Sequence, residues 1–194
     1  MEMGEWDVED AERDQPRTPQ AVARRCLVLY ALIAAGHGAA RDKLVHWLRE
    51  EGLWESVSPR EAAFLQSESP ERAQTIAATW RAEALFPLIW ALGGFQKLPP
   101  PTGQCDLSVI MAALPPLLAS TAQFISQAVL RESGEIMEAN EDVYQANWAV
   151  RDAKINNKPI PNGSDPEVIE ERHHALNWLI GYGNQDWDDV ATDT

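Results

Sequence analysis

The stretch Asp165-Pro166-Glu167-Val168-Ile169-Glu170-Glu171-Arg172-His173-His174-Ala175-Leu176-Asn177-Trp178-Leu179-Ile180-Gly181 decides the fold class. Asp165 suits an N-cap, its carboxylate accepting the first free backbone N–H groups, and Pro166 suits the first helical position. Gly181 suits the end, where a left-handed residue closes a helix. The second half of the stretch is apolar almost all round, which places this helix at the centre of a helical body.

The same punctuation recurs outward along the chain, and no window of strict apolar and polar alternation competes with it. Ser133 opens a preceding helix to about Ile155, with Met137, Tyr144 and Trp148 on one stripe. Leu117, Leu118, Phe124, Ile125, Ala128 and Val129 predict another, restarted after Pro115-Pro116 and running to Arg131. Thr18-Pro19 opens a helix with Val22, Cys26, Leu29, Tyr30 and Ile33 on its stripe, ending at Gly36. A second covers about Ala40 to Glu51, burying Leu44, Trp47 and Leu48. Ser58-Pro59-Arg60-Glu61 is a capping box for a helix over 59–66. Ser69-Pro70-Glu71 opens one that reaches Leu92, with Pro87 expected to bend it. Residues 98–104 are a proline-rich connector, and Asp106 caps a short turn to Leu114. The expected fold is all-α, an irregular bundle of about seven helices in a single domain over 18–194, with an acidic disordered tail over 1–17.

The 194 residues carry 30 acids against 16 Lys and Arg, a formal charge of -14. A surface that negative repels phosphate backbones and anionic headgroups, so neither nucleic acid nor membrane is an expected partner. The acids concentrate at the ends. Residues 1–14 hold seven acids and one Arg, with little apolar material to offset ordering entropy. The C-terminal acids Asp186, Asp188, Asp189 and Asp193 alternate with Trp187 and Val190, which suggests that this segment docks and offers its carboxylates to a basic partner. The longest apolar run, Cys26 to Ala35, is too short for a membrane span, and no cationic leader precedes it. A cytoplasmic chain with two core thiols, Cys26 and Cys105, is expected.

Polar residues inside apolar helices are the informative ones, because a buried charge is tolerated only when paired and hydrogen-bonded. Arg81 and Glu83 stand two apart and cannot face each other on one helix, so each needs a partner from elsewhere. Arg131, Arg151 and Arg172 are similarly placed. Glu170, His173 or His174, and Asn177 share one stripe of the last helix; Asn140, Asn147 and Arg151 share one of the preceding helix. The two seams are expected to meet, either as a network fixing helix register or as a pocket. Glu170-x-x-His173 and Glu171-x-x-His174 lack the second pair on another helix that a di-iron site needs, and no metal or cofactor is expected. Signatures of metalloproteases, nucleotide-binding loops and serine hydrolases do not occur.

Arg81-Ala-Glu-Ala-Leu85, Trp148-Ala-Val-Arg-Asp152, Glu171-Arg-His-His-Ala-Leu-Asn-Trp-Leu179 and Trp187-Asp-Asp-Val-Ala-Thr-Asp-Thr194, in that order, together with Ser58-Pro-Arg-Glu61 and Cys105-Asp106, resemble a bacterial family catalogued as domain of unknown function 4272. The resemblance spans residues 20–194 and departs from the family pattern at Asn147, where the pattern has His. It implies no reaction and no catalytic residues. The leading expectation is a non-enzymatic protein-binding module, such as an immunity-type protein that neutralises a basic partner. The alternative is an enzyme or small-ligand binder using an Arg, His and Glu pocket between helices, and a concave cavity lined by convergent polar groups would distinguish it.

Overall fold

In the computed structural model, which describes residues 16–192, Thr18 Oγ1 accepts the Ala21 N–H (3.2 Å) and Pro19 begins helix α1 (Pro19–Gly36). Its stripe is wider than the sequence pattern asked for: nearly every residue from Val22 to Ala35 is buried. Helix α2 (Arg41–Glu50) buries Leu44, Trp47 and Leu48, as the spacing predicts. Helix α3 (Pro59–Gln66) has the reciprocal capping box, Ser58 Oγ accepting from Glu61 N and Glu61 Oε2 from Ser58 N. Helix α4 (Arg72–Ala91) starts later than Ser69-Pro70 implies. Its cap is Glu71, whose N–H donates to Gln74 Oε1 (2.9 Å), so Pro70 lies before the helix instead of inside its first turn. The helix continues through Pro87 to Ala91. Asp106 caps α5 (Leu107–Ala112) through Ser108 N, 2.8 Å.

The long helix expected over 117–131 does not form; only α6 (Ala122–Ser126) is helical there. Tertiary bonds outcompete the local ladder. Ala119 O accepts from Trp47 Nε1 at 2.8 Å, and Glu51 Oε2 takes both Thr121 N (2.7 Å) and Thr121 Oγ1 (2.8 Å). Leu118 is left-handed at φ 66, which an α-helix excludes.

Helix α7 (Ser133–Ile155) has the expected bounds, but a different face is buried. Ile136, Val143, Val150 and Ala153 are inside, with Ala139 and Ala146 partly covered between them, a three-and-four spacing that faces α8. Met137 and Trp148, expected on the core stripe, are each 53% exposed. Helix α8 (Pro166–Ile180) is capped by Asp165 and ends at left-handed Gly181 (φ 77). Every residue from Ala175 to Ile180 is buried.

Eight α-helices and no strand make up the described residues. Helix α1 packs chiefly on α4, α4 on α8, and α8 on α7, so α4 and α8 are the central pair; α2 and α3 cover one side of α1, α5 leans on α4 and α6 on α1. Among the described residues no helix is long and apolar enough to cross a membrane. The expectation of a disordered tail concerns mainly residues 1–15, which lie outside the described ones. Arg17, assigned to that tail by composition, is tied into the fold: its N–H donates to Leu179 O (2.9 Å), its Nε to Trp178 O (3.1 Å), its Nη2 to Gln185 O.

Candidate functional site

The C-terminal segment positions the site. Trp187 is buried at 4% exposure, its ring edge-on to His174 (4.5 Å) and Trp178 (5.4 Å) and under the Arg25 guanidinium (4.6 Å). Two asparagines from the expected seams hold the chain around it. Asn147 Nδ2 donates to Thr192 O (3.1 Å) and Asn177 Nδ2 to Ala191 O (2.9 Å). The seams do meet, because Asn147 Nδ2 also contacts His173 Nδ1 at 3.1 Å. His173 is buried, and its pKa is lowered by burial and by the Arg151 charge.

The ionic residues sort into three pairs that bridge helices. Arg172 and Glu83 form a buried pair between α8 and α4, 3.2 Å apart with both side chains 2% exposed. Glu83 Oε1 also accepts from Cys105 N (2.5 Å), and Arg172 Nη1 donates to Pro99 O (2.7 Å), so this pair clamps the proline-rich connector. Arg25 and Glu61 form a second buried pair, 2.8 Å, between α1 and α3. Sequence reasoning missed it, although Arg25 stands in the register of Val22 and Leu29 and so had to be buried. Arg81 pairs with Glu171 at 2.9 Å and stays 31% exposed. The acid that reaches Arg81 is Glu171, while Glu170, named from the stripe, faces solvent. Arg131 belongs to none of these: it donates to Trp90 O, Phe95 O and Gln96 O and pairs with Glu135, capping the C-terminal end of α4. Arg151 is exposed on α7.

One of the tail acids is engaged inside the fold. Asp188 accepts from Ser58 Oγ (2.7 Å) and Arg60 N (3.0 Å), placing a carboxylate at the N-terminus of α3. Asp186 and Asp189 are exposed and line a cleft of about 560 Å³ together with Arg17, Arg24, Arg25 and Arg60. Their field meets the chain's own arginines, which weakens the expectation that they are reserved for a basic partner. Asp193 lies outside the described residues.

Beside that cleft, and sharing Arg60, Trp187 and Asp188 with it, a cavity of about 370 Å³ opens between α3, α4 and α8. Leu32, Phe64 and Ala78 form an apolar wall; Arg60, Arg81 and His174 supply polar groups. The carboxylates of the wall are already engaged, Glu61 by Arg25 and Ser58 N and Asp188 by Ser58 and Arg60 N. The Arg60 guanidinium takes no partner among the described residues. His174 Nε2 lies 2.9 Å from Trp187 O and must carry the proton, because a carbonyl only accepts; Nδ1 is then a bare acceptor, buried without a hydrogen bond. Burial, with the Arg81 charge adding to it, lowers the His174 pKa to about 4, so the ring is neutral at pH 7.

Among the described residues no cluster of three or more His, Cys, Asp or Glu is arranged to hold a metal ion. The two thiols differ: Cys26 is fully buried, whereas Cys105 is partly exposed beside a small cleft, and burial raises both pKa values. No curated protein and no solved structure matches the chain. The family model described as Domain of unknown function (DUF4272) matches residues 6–190, starting inside the stretch whose composition suggests a tail, and the chain belongs to that family.

Proposed function

We propose that the protein binds a small amphiphilic anion in the cavity between α3, α4 and α8, the apolar part against Leu32, Phe64 and Ala78 and the anionic end at Arg60 and Arg81. The observation that carries this reading is the convergence on one cavity of the Arg60 guanidinium and of Arg81, whose Nη1 is held by Glu171 from outside the lining, where the lining carboxylates are committed to internal partners. A volume of about 370 Å³ lies within the range of small-ligand sites. Binding fits the wall better than catalysis does. The lining holds no Ser, Cys, Thr, Lys or Tyr nucleophile, and a histidine with a pKa near 4 is far from the neutral range where a general base is most effective.

The test is ligand-observed NMR with short aromatic and aliphatic carboxylates and phosphates, each beside a neutral alcohol of the same skeleton. Anions are expected to bind and the alcohols to bind more weakly. Arg60→Gln is expected to weaken anion binding at least about tenfold with little change in melting temperature, since one charge-assisted hydrogen bond contributes ~1.5–3 kcal/mol. Ala77→Phe, at an exposed position of the rim, should obstruct entry. Absence of binding by every anion, or equal binding of the neutral partners, refutes the reading.

A further inference from the structure

Helix α7 carries two apolar stripes, and only one is used inside the molecule. The inner one faces α8. The outer one consists of Met137 (53% exposed), Trp148 (53%) and Ile155 (80%), with half-buried Tyr144 on the same line, its ring edge-on to His173 at 6.0 Å. At 100° per residue these four positions fall within about 20° of one line, and at 1.5 Å per residue the line runs about 27 Å. Single exposed apolar residues need no explanation, but a collinear set of this size on one helix does.

The charge along the helix is uneven. From Glu132 to Val150 the sequence has five carboxylates and no Lys or Arg. Glu135 is engaged by Arg131, while Glu141 and Glu138, about 40° and 100° round the helix from the line, are exposed on one flank of the stripe near its Met137 end. Arg151 and Lys154 come only beside Trp148 and Ile155.

We propose that the outer face of α7 docks a basic amphipathic helix of another protein, its apolar residues seated along Met137, Trp148 and Ile155 and its Lys or Arg side chains opposite Glu141 and Glu138. The inference is independent of the cavity and gives the basic partner expected from a charge of -14 a definite surface. A second copy of this chain fits less well. A twofold axis perpendicular to two antiparallel α7 helices returns each flank to its own side, so Glu138 and Glu141 would lie along a flank of like charge. An anionic lipid surface is repelled for the same reason.

The experiment uses the full chain and two synthetic 18-residue helical peptides of identical apolar pattern, one with Lys and one with Glu at all polar positions, measured by fluorescence anisotropy and sedimentation. The Lys peptide is expected to bind at least tenfold more tightly than the Glu peptide. Ile155→Glu and Trp148→Glu should each weaken it tenfold or more, as should Glu138→Lys combined with Glu141→Lys, while Asp189→Asn leaves it unchanged. Ile155→Glu, at the most exposed position, keeps the test valid if the Trp148 variant folds poorly. Equal binding of the two peptides, binding insensitive to the α7 variants, or no binding overturns the proposal. So does a dimer of this chain that Ile155→Glu dissociates.

Discussion

Arg172 and Arg81 are the same residue type on facing helices, yet burial gives them opposite roles. With both side chains of the Arg172 and Glu83 pair 2% exposed, Arg172→Ala strands a carboxylate in the core and is expected to cost ~3–5 kcal/mol. For a chain of this size that lowers the melting temperature by about 6–20 °C, checked by calorimetry. Arg81→Gln, at a pair 31% and 19% exposed, is expected to cost less, ~1–3 kcal/mol, because Glu171 loses its partner but keeps some contact with water, while impairing anion binding. Equal losses in the two variants would show that Arg81 is structural. His174 is titratable in a testable window. Its folded pKa of about 4 lies below the unfolded value near 6.5, so the unfolded chain binds more protons between them. Its contribution to stability is complete above about pH 6.5 and is lost as the pH falls towards 4; His173, also lowered, acts in the same direction. Glu171, whose pKa burial raises, acts oppositely above the ordinary carboxylate range. Urea midpoints at pH 7 and pH 5 should therefore differ more in the wild type than in His174→Asn; an unchanged difference would remove His174 as the cause. At this scale the sequence was informative about need and uninformative about partner. Glu83 and Arg81 had to reach other helices, but choosing Glu171 over its neighbour Glu170 depends on how α8 is rotated against α4.

Elements were legible wherever their ends are set by local chemistry. Caps at Thr18, Ser58, Asp106 and Asp165 satisfy backbone N–H groups within one turn, so a short window of sequence reveals them. Residues 117–131 failed because Trp47 and Glu51, some seventy residues away, bond the backbone and Thr121 there in place of a helical ladder. The two stripes of α7 were both present in the sequence; burial of the one with alanines follows because small residues let α8 approach while Met137 and Trp148 hold it off. Close approach also decides Gly36, where a Cβ would sit 2.9 Å from Thr79 Cγ2 and 3.0 Å from Thr79 N. Gly36→Ala is expected to push α1 from α4 and cost ~1–3 kcal/mol despite the better helix propensity of alanine. An unchanged or raised melting temperature would show that Thr79 yields without cost.

The whole molecule is closed by its C-terminal segment, in which Trp187 bridges α1, α8 and the cavity wall. Trp187→Ala is expected to cost ~3–5 kcal/mol and to abolish anion binding together with stability, read by calorimetry and NMR on one sample. At the same scale, the charge of -14 should speed encounter with the Lys peptide, and the on-rate is expected to fall as salt shortens the Debye length from ~30 Å at 0.01 M to ~8 Å at 0.15 M. A salt-independent on-rate would assign the recognition to apolar contact alone. The sequence by itself determined the all-helical class, most helix boundaries, the central last helix and the requirement that Arg81 and Glu83 find distant partners, because capping, 3.6-residue periodicity and the cost of a buried charge act locally. Tertiary structure alone decided that Glu171 and Arg25 join the ionic pairs, that Asp186 and Asp189 share a cleft with arginines, that α7 leaves its bulkier stripe outside, and that a cavity opens beside His174. Each of these depends on how segments remote in the chain are rotated and spaced against one another.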